Sequence, residues 1–484
     1  MGNSSTSAGG MCTFNVDYGM EEALVRGFRS GFITPQQYSA LMDYKESTGS
    51  RYVNISNQNH HIFIQNKHFK LTLHVFLFWT PPSNKSKKKK IKKSSIPPYR
   101  LFFFLFCSFH PNNNTTNNSG LQDIRDSLAE TSYGRFLADH AGKLEVSIIT
   151  DKMNDKLASE FYYIRCLAGP ILAKFMDFIT YEYMIENVML ILKAASTGRT
   201  DVADIMEQCH PLGRFDESIM RSIASFENTP AGHQDLYRCV LVETPIGKYF
   251  ERYLIETKED ARRQNAEERQ QILNDESTTI LESWLTKLYL EDFYHFCREV
   301  GGDTALVMCE ILETRADTTA ISITLNSFNT PLNEPKHLQD RADLYPSFGK
   351  LYAYGVGSVE PGRQENAWDL VNVTDFEGLK RCLAANHPNW RGALDGDAEW
   401  TETCYKREVM LGELAFEGQF SFGCFYAYVK LKEQEIRNVQ WISDVTILGR
   451  PELMKENFIP IFDPASPWRT GAMSEAYERR HTGY

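Results

Sequence analysis

The sequence has few of the patterns that mark metal sites, disulfide scaffolds or nucleotide-binding loops. Its ten cysteines include no CxxC pair and show no regular spacing, which argues against a zinc site or a disulfide framework and favours reduced thiols. No GxxxxGK[ST] motif is present, which argues against nucleotide hydrolysis by this chain. We therefore expect no catalytic residue, no cofactor and no metal ion.

Long apolar runs are also missing. Leu71–Thr80 and Leu101–Phe109 are about half as long as the ~20 residues that a spanning helix needs, and the longer stretch 175–195 contains three acidic residues. The first ten residues have neither the basic region nor the apolar region of a secretory signal. If the protein acts at a membrane, we expect it to lie on the membrane surface or on a partner protein.

The net charge of −11 argues against a general nucleic-acid-binding protein. The charge is unevenly distributed, because residues 51–119 contain eleven of the 52 Lys and Arg residues and none of the 63 Asp and Glu residues. Two such different compositions rarely belong to one packed domain.

Residues 51–119 can be read as translated AT-rich DNA, since they are rich in Lys, Phe, Asn and Ile. Arg51-Tyr-Val53 can be encoded by a splice-donor sequence, Leu101–Pro111 by a pyrimidine tract, and Asn118-Ser119 can supply an acceptor AG. We interpret the segment as a retained intron or a gene-model error. The alternative is a real, disordered, basic loop that could touch anionic lipid.

Helical periodicity dominates the rest of the chain and predicts an all-α fold. Apolar residues spaced by three and four form one stripe near residue 185 and another near residue 430. These are Tyr181, Met184, Ile185, Val188, Ile191 and Leu192, then Phe422, Phe425, Tyr426, Val429, Ile436 and Val439. Glu182, Glu186 and Lys193 fall opposite the first stripe. Near the second, Glu433 precedes Arg437 by one turn, which favours an ion pair.

Three weaker patterns complete the secondary-structure prediction. The charged segment Glu251–Leu273 reads as an exposed helix or helical linker, and Ala320–Leu325 is the best candidate for a strand. Residues 131–137 resemble 244–250, and 210–215 loosely resemble 345–351. This repetition predicts a helical lobe that is used more than once, although chance similarity between short turn motifs is the alternative.

Collinear segments of the chain resemble the d-subunit family of V-type proton-pumping ATPases, which is related to the C subunits of archaeal-type ATPases. The resemblance covers residues 14–49 and about 120–462. Its segments are FNVDYGM with LVRGFRSGFIT at 14–34, DFITYEYMIENVMLIL at 177–192, CHPLG at 209–213, LYLEDFYHFC at 288–297, GGDTALVMCEILETRADTTAISITLNSF at 301–328, FYAYVKLKEQEIRNVQWI at 425–442 and FIPIF at 458–462.

The resemblance implies a non-catalytic subunit of a rotary pump, shaped as a funnel of three similar helical lobes. It implies a peripheral position on the cytoplasmic face of vacuolar or endolysosomal membranes, above the proteolipid c-ring, with the central-stalk subunits D and F received by the funnel. Torque from ATP hydrolysis in other subunits would pass through this chain and drive proton transport and organelle acidification. Membrane association would come through the complex.

The corresponding domain prediction has three lobes and three other segments. The lobes are 14–50 with 120–170, 171–300, and 301–462 with the C-terminal helices. The other segments are a disordered N-terminus at 1–13, the anomalous basic insert at 51–119 and a C-terminal tail at 463–484.

Four residues are candidates for partner contact or modification. Trp441 and Asp444 follow the most family-like helix and could help to seat the stalk or ring; the alternatives are a core aromatic residue and a surface charge. His210 could order a partner-facing loop or could simply hydrogen-bond a turn. Gly2 and Thr6 fit the pattern for N-myristoylation, although Met11 could be the true start.

Two other functions compete with the pump subunit. One is a scaffold of the same fold outside the pump. The other is an enzyme that uses Cys209 with His210 as its base, but adjacent residues in a turn with Pro211 and Gly213 rarely point at each other.

Overall fold

Every described secondary-structure element of this protein is a helix or a turn. The computed structural model describes residues 11–43, 118–138, 144–196, 201–214, 218, 220–221, 244–253, 255, 277–352, 370–386, 390, 392–394 and 400–466. No strand occurs in these ranges, and the prediction of an all-α protein is confirmed. The described residues all belong to one unit of the chain, which comprises residues 1–44 and 106–484.

The helices of the described residues are numbered here in chain order. They are α1 Met11–Gly27, α2 Pro35–Met42, α3 Asn118–Ala129, α4 Gly134–Ala138, α5 Val146–Leu167, α6 Pro170–Ser196, α7 Val202–Gln208, α8 Ser277–Val300, α9 Gly302–Ser327, α10 Leu338–Ala342, α11 Phe376–Asn386, α12 Trp400–Glu417 and α13 Gly423–Leu448. Short 3₁₀ turns lie at Phe28–Gly31, Pro211–Gly213, Pro331–Asn333, Leu370–Asn372 and Pro451–Leu453.

Local sequence signals explain several helix ends. Thr34 and Gln37 form a capping box at the start of α2, with Pro35 at the first helical position. Gly449 ends α13 in the left-handed conformation, with φ of 62°. The backbone N–H of Arg450 then donates to the carbonyl of Val445, as in a Schellman motif.

Helix α13 is the central element of the described structure. It packs against α1, α3, α5, α6, α9 and α12, and nineteen of its 26 residues are buried. All six residues of the second predicted apolar stripe are buried on or beside this helix. Because neighbours surround it on most sides, α13 also buries polar side chains, among them Lys430, Lys432 and Glu435.

The N-terminal helices are held against α13 by a buried ion pair. Lys432 Nζ lies 2.7 Å from Glu435 Oε1, and the two side chains are 1% and 0% exposed. Glu435 accepts hydrogen bonds from the backbone N–H of Ile33 at 2.6 Å and from the hydroxyl of Tyr133 at 2.5 Å. Lys432 also donates to the carbonyl of Gly31 at 2.9 Å. Segments separated by about 300 to 400 residues of sequence therefore meet at one buried pair.

The two similar heptapeptides found in the sequence adopt the same local structure. In each, a bend and a turn lead into a helix. The N–H of Gly134 donates to Thr131, and the N–H of Gly247 donates to Thr244. The two more loosely similar segments, 210–215 and 345–351, differ in structure. The first contains the 3₁₀ turn Pro211–Gly213, whereas the second contains no helix.

The prediction of a strand at Ala320–Leu325 is wrong, since these residues lie inside α9. The alternation of β-branched residues is overridden because α9 packs against α8 and α12, and because Thr324 donates its hydroxyl to the carbonyl of Ala320 at 2.8 Å. The predicted ion pair between Glu433 and Arg437 is also absent: Glu433 lies 3.2 Å from Lys430, and Arg437 lies 3.4 Å from Glu408.

Several predictions fall on residues outside the described ranges. These are the insert at 51–119 except its last two residues, Gly2 and Thr6, most of the linker 251–273, and the tail beyond residue 466. Helix α1 begins at Met11, so residues 11–13 of the segment expected to be disordered are helical. The packing of Phe14 against Tyr18 and Phe422, with ring centroids 5.4 and 5.6 Å apart, accounts for this helix start. The division into three lobes stays a prediction.

Candidate functional site

Seven charged side chains from four helices meet beside α13 and are called the charged cluster here. They are Glu182 and Glu186 on α6, Arg315 on α9, Glu408 on α12, and Lys430, Glu433 and Arg437 on α13. The face of α6 opposite its apolar stripe carries Glu182 and Glu186. On this face Glu182 pairs with Arg315 of α9 and Lys430 of α13. Helix α6 is therefore enclosed on both faces and is not a solvated amphipathic helix.

Ion pairs connect the cluster from one helix to the next. Glu182 lies 2.9 Å from Lys430 and also pairs with Arg315. Arg315 reaches Glu408 at 3.2 Å, and Glu408 reaches Arg437 at 3.4 Å. These side chains retain between 5% and 29% exposure, so they line a partly solvated space and do not form a dry core.

The carboxyl groups of the cluster have very different acidities. Burial alone would raise the pKa of Glu182, but the adjacent Arg315 and Lys430 lower it to about 2. Burial, together with the negative charge of Glu182, raises the pKa of Glu186 to about 8. No described side chain lies within hydrogen-bond or ion-pair distance of the Glu186 carboxyl. The positive charges of Lys430 and Arg315 act in the opposite direction but do not offset these two effects. The cluster therefore contains one carboxyl that is largely protonated at neutral pH.

Helix α13 has a single partly exposed face, called the α13 stripe here. It consists of Glu433, Arg437, Gln440, Trp441 and Asp444, which recur at spacings of three and four. The stripe begins in the charged cluster and ends near Leu448, which is 54% exposed. Two of the residues predicted from sequence to contact a partner, Trp441 and Asp444, therefore share this face.

Trp441 and Asp444 differ in how they are held. The indole N–H of Trp441 donates to the carbonyl of Met454 at 3.2 Å, which fixes the ring against the chain that follows α13. Asp444 has no hydrogen-bond or ion-pair partner among the described residues. Burial raises the pKa of Asp444 to about 6, so Asp444 is not an ordinary surface charge.

The CHPLG loop is fixed against α6 rather than projected outward. The side-chain amide of Asn187 donates to the carbonyl of His210 at 3.0 Å and accepts from its N–H at 2.8 Å. The imidazole of His210 stacks on Tyr183, with centroids 4.5 Å apart, and its Nδ1 accepts from the N–H of Leu212. Gly213 approaches α6 so closely that an added Cβ would lie 2.3 Å from the carbonyl oxygen of Tyr183.

This loop geometry favours a turn-forming role for His210, one of the two roles left open by the sequence. Burial and the positive charges of Lys430 and Arg214 lower the pKa of His210 to about 3. His210 therefore remains neutral at physiological pH, and its Nδ1 is occupied as an acceptor in the turn. It lies within the electrostatic reach of Lys430, which connects the loop to the charged cluster.

Cys209 is poorly suited to nucleophilic chemistry. The thiol is buried and donates to the carbonyl of Ile205 at 3.4 Å. Burial raises its pKa to about 11, so very little reactive thiolate forms at neutral pH. His210 Nδ1 accepts a hydrogen bond from the N–H of Leu212, so this nitrogen is not available as a base for the thiol.

The described residues contain no group of three or more His, Cys, Asp or Glu side chains placed to hold a metal ion. None of their helices is both long enough and apolar enough to cross a bilayer.

The sequence analysis named four of the seven members of the charged cluster but did not bring them together, because Arg315, Glu408 and Lys430, which connect them, lie far apart in the chain. One signal was available in KLKEQEIRN at 430–438, which places charged or amide side chains on every face of a helix with apolar flanks. A helix of this kind that is buried must find polar partners on neighbouring elements.

Comparisons with known proteins match most of this chain. The ATP synthase (C/AC39) subunit family matches residues 113–457. The V-type proton ATPase subunit d of Dictyostelium discoideum is 36% identical over 343 residues, which cover 71% of this chain and 87% of that protein. The subunit d of Saccharomyces cerevisiae is 34% identical over 345 residues, which cover 71% and 89%. This chain therefore belongs to the ATP synthase (C/AC39) subunit family, within which it is related to the d subunits of V-type proton ATPases.

Proposed function

We propose that this chain is the d subunit of a V-type proton ATPase and that it couples the central stalk to the proteolipid c-ring. The observation that carries the proposal is the identity of about a third over nearly the whole length of several such subunits. Its direct partners are then the stalk subunits D and F on one side and the c-ring on the other. The subunit lies on the cytoplasmic face of vacuolar or endolysosomal membranes and is held there through the complex.

In this role the chain is non-catalytic and transmits torque. Support comes from the CHPLG loop, where the Cys209 thiol is buried with a pKa of about 11 and His210 caps a turn. Further support comes from the ion pairs that join α6, α9, α12 and α13. Packed helices joined in this way resist deformation when torque is applied at one end.

The proposal includes a funnel of three similar lobes. The equivalent turns at 131–134 and 244–247 are consistent with repetition of the first lobe in the second. A scaffold or interaction protein of the same fold outside the pump is the competing function, and it predicts that the chain purifies without ring or stalk subunits.

The test is affinity purification of the chain from solubilised membranes, combined with depletion. The c-ring and subunits D and F should co-purify, and depleted membranes should lose ATP-driven, inhibitor-sensitive acidification. The isolated chain should show no ATPase activity. Normal acidification after depletion, or ATP hydrolysis by the purified chain, would contradict the proposal.

A point variant adds a residue-level test. Trp441→Ala removes a large, partly exposed aromatic side chain from the α13 stripe, and we expect lower assembly or coupling with the fold retained. Thermal unfolding of the purified variant separates this result from simple loss of the fold, which would assign Trp441 to the core instead.

A further inference from the structure

Arg315 is the side chain through which three helices of the charged cluster meet. It lies on α9, and its Nη2 pairs with Glu182 on α6 while its Nη1 lies 3.2 Å from Glu408 on α12. One guanidinium therefore bridges two carboxylates that belong to different helices. The Arg315 side chain is 29% exposed and each carboxylate side chain is 14% exposed, so the bridge is largely shielded from water.

The bridge joins helices that have little other contact. In the described structure α6 packs chiefly against α8, and α9 packs against α8 and α12, whereas α6 does not pack closely against α9 or α12. Helix α6 belongs to the second predicted lobe, and α9 and α12 belong to the third. Among the described side chains, Arg315 is the one that contacts both Glu182 and Glu408.

A second path through α13 closes this connection into a ring. Lys430 lies 2.9 Å from Glu182, and Arg437, two turns further along α13, lies 3.4 Å from Glu408. Isolated surface ion pairs contribute little to stability, but pairs that share partners form a network with a larger effect. Because Arg315 contributes two ion pairs to the ring, a displacement of α6 or α12 relative to α9 must stretch at least one of them.

Arginine suits this position in a way that lysine does not. The planar guanidinium presents several N–H donors in fixed directions, whereas the ammonium group of lysine acts as a single point charge. Two different terminal nitrogens of Arg315 contact the two carboxylates. Lysine would keep the charge balance of the cluster but could not reproduce both contacts in this geometry. The substitution Arg315→Lys therefore separates the effect of the bridge from the effect of the charge.

We propose that Arg315 is a positioning residue for torque transmission, because its bridge from Glu182 to Glu408 keeps α6, α9 and α12 in a fixed arrangement. The inference rests on the proposed function, since it concerns how the chain passes torque from the stalk to the ring. When the bridge is broken, these helices shift under torque, and part of the stalk rotation deforms this chain without turning the ring. ATP hydrolysis then continues with less proton transport.

The experiment replaces the chain by its variants in cells depleted of it. Washed vacuolar or endolysosomal membranes are used, because they retain only membrane-bound complexes. Inhibitor-sensitive ATP hydrolysis and the initial rate of ATP-driven acidification are measured on the same membranes. The ratio of acidification to hydrolysis reports coupling, whatever amount of complex assembles. We expect Arg315→Lys to lower this ratio by about twofold or more, since mutations within coupled networks have effects of at least this order.

Arg165→Lys is the matched control. Arg165 on α5 also joins two helices, with its Nε and Nη2 at 2.7 and 2.9 Å from the Asp177 carboxylate on α6. It contacts only that one carboxylate, and the two side chains are 35% and 39% exposed, so this variant should keep the wild-type ratio.

The possible outcomes separate the inference from the proposed function. A wild-type ratio for Arg315→Lys, at any level of assembly, would overturn the inference and leave the pump assignment intact. An equal fall of the ratio for Arg165→Lys would do the same, because the bridge would then have no special role. If the wild-type chain fails to restore acidification to depleted membranes, the proposed function itself fails.

Discussion

The buried pair of Lys432 and Glu435 provides a quantitative test of how α13 holds the N-terminal helices. Lys432→Met leaves the Glu435 carboxylate buried with only the Ile33 N–H and the Tyr133 hydroxyl as partners. Removal of one member of a buried pair costs about 3–5 kcal/mol, because the remaining charge lacks compensation. We expect Tm to fall by roughly 3–7 °C, because the unfolding entropy of about 2 cal/mol/K per residue makes the shift per kcal/mol small in a chain of this size.

The companion variants separate charge from packing. Glu435→Gln alone strands the Lys432 ammonium and should cost a similar amount. The double variant Lys432→Met/Glu435→Gln buries no charge, and its amide oxygen can still accept from Ile33. We therefore expect the double variant to lose less stability than the sum of the single variants, by at least about 2 kcal/mol.

The measurements are thermal unfolding by circular dichroism and hydrogen exchange at the Ile33 amide, which should lose protection in both single variants. Lys152→Met serves as the control, because the Lys152–Asp155 pair on α5 is more than a third exposed and should contribute less than about 1 kcal/mol. Strictly additive losses, or a loss for Lys432→Met no larger than that of the control, would refute the reasoning.

Four further predictions follow from single features of the chain. Gly213→Ala should lower stability by about 1–3 kcal/mol through the Cβ clash with Tyr183, whereas Gly27→Ala, with open space around its Cβ, should not; calorimetric Tm values decide. N-ethylmaleimide should label exposed Cys166 well before buried Cys209 in peptide mass spectra, and the reverse order would be contrary to the assigned burial. The raised pKa of Glu186 stabilises the fold below its unfolded pKa near 4.5, and this contribution is lost as pH rises through about 8; the Tm of wild type relative to Glu186→Gln should therefore fall between pH 5 and 8 and then level off. Amplification of the transcript across residues 51–119 should give mainly a product without the insert, and abundant insert peptides in the purified protein would exclude a retained intron.

Much of the fold class follows directly from local sequence. The stripe in α6 and the stripe in α13 both predicted helices that the structure confirms, because spacings of three and four select a helical surface whatever lies opposite it. The matching heptapeptides likewise adopt one turn, since the hydrogen bonds of that turn join residues only three positions apart.

Prediction failed where distant segments decide the outcome. Ala320–Leu325 alternates like a strand but is helical, because α8 and α12 cover α9. Glu433 and Arg437 have ideal spacing for an ion pair, yet each has a closer partner in Lys430 and Glu408. A pair of side chains one turn apart on a helix contributes only a few tenths of a kcal/mol, so contacts with neighbouring helices can outweigh it.

The sequence by itself determined the helical character, the family resemblance and the unusual composition of residues 51–119, because each is a property of order or composition along the chain. It also pointed to Trp441 and Asp444. Only the tertiary structure decided that these residues share one partly exposed face, that His210 caps a turn and that burial beside Glu182 raises the pKa of Glu186. The physical reason is that burial and ionic pairing depend on which residues from α6, α9, α12 and α13 lie within a few ångströms of one another, and sequence spacing does not specify those neighbours.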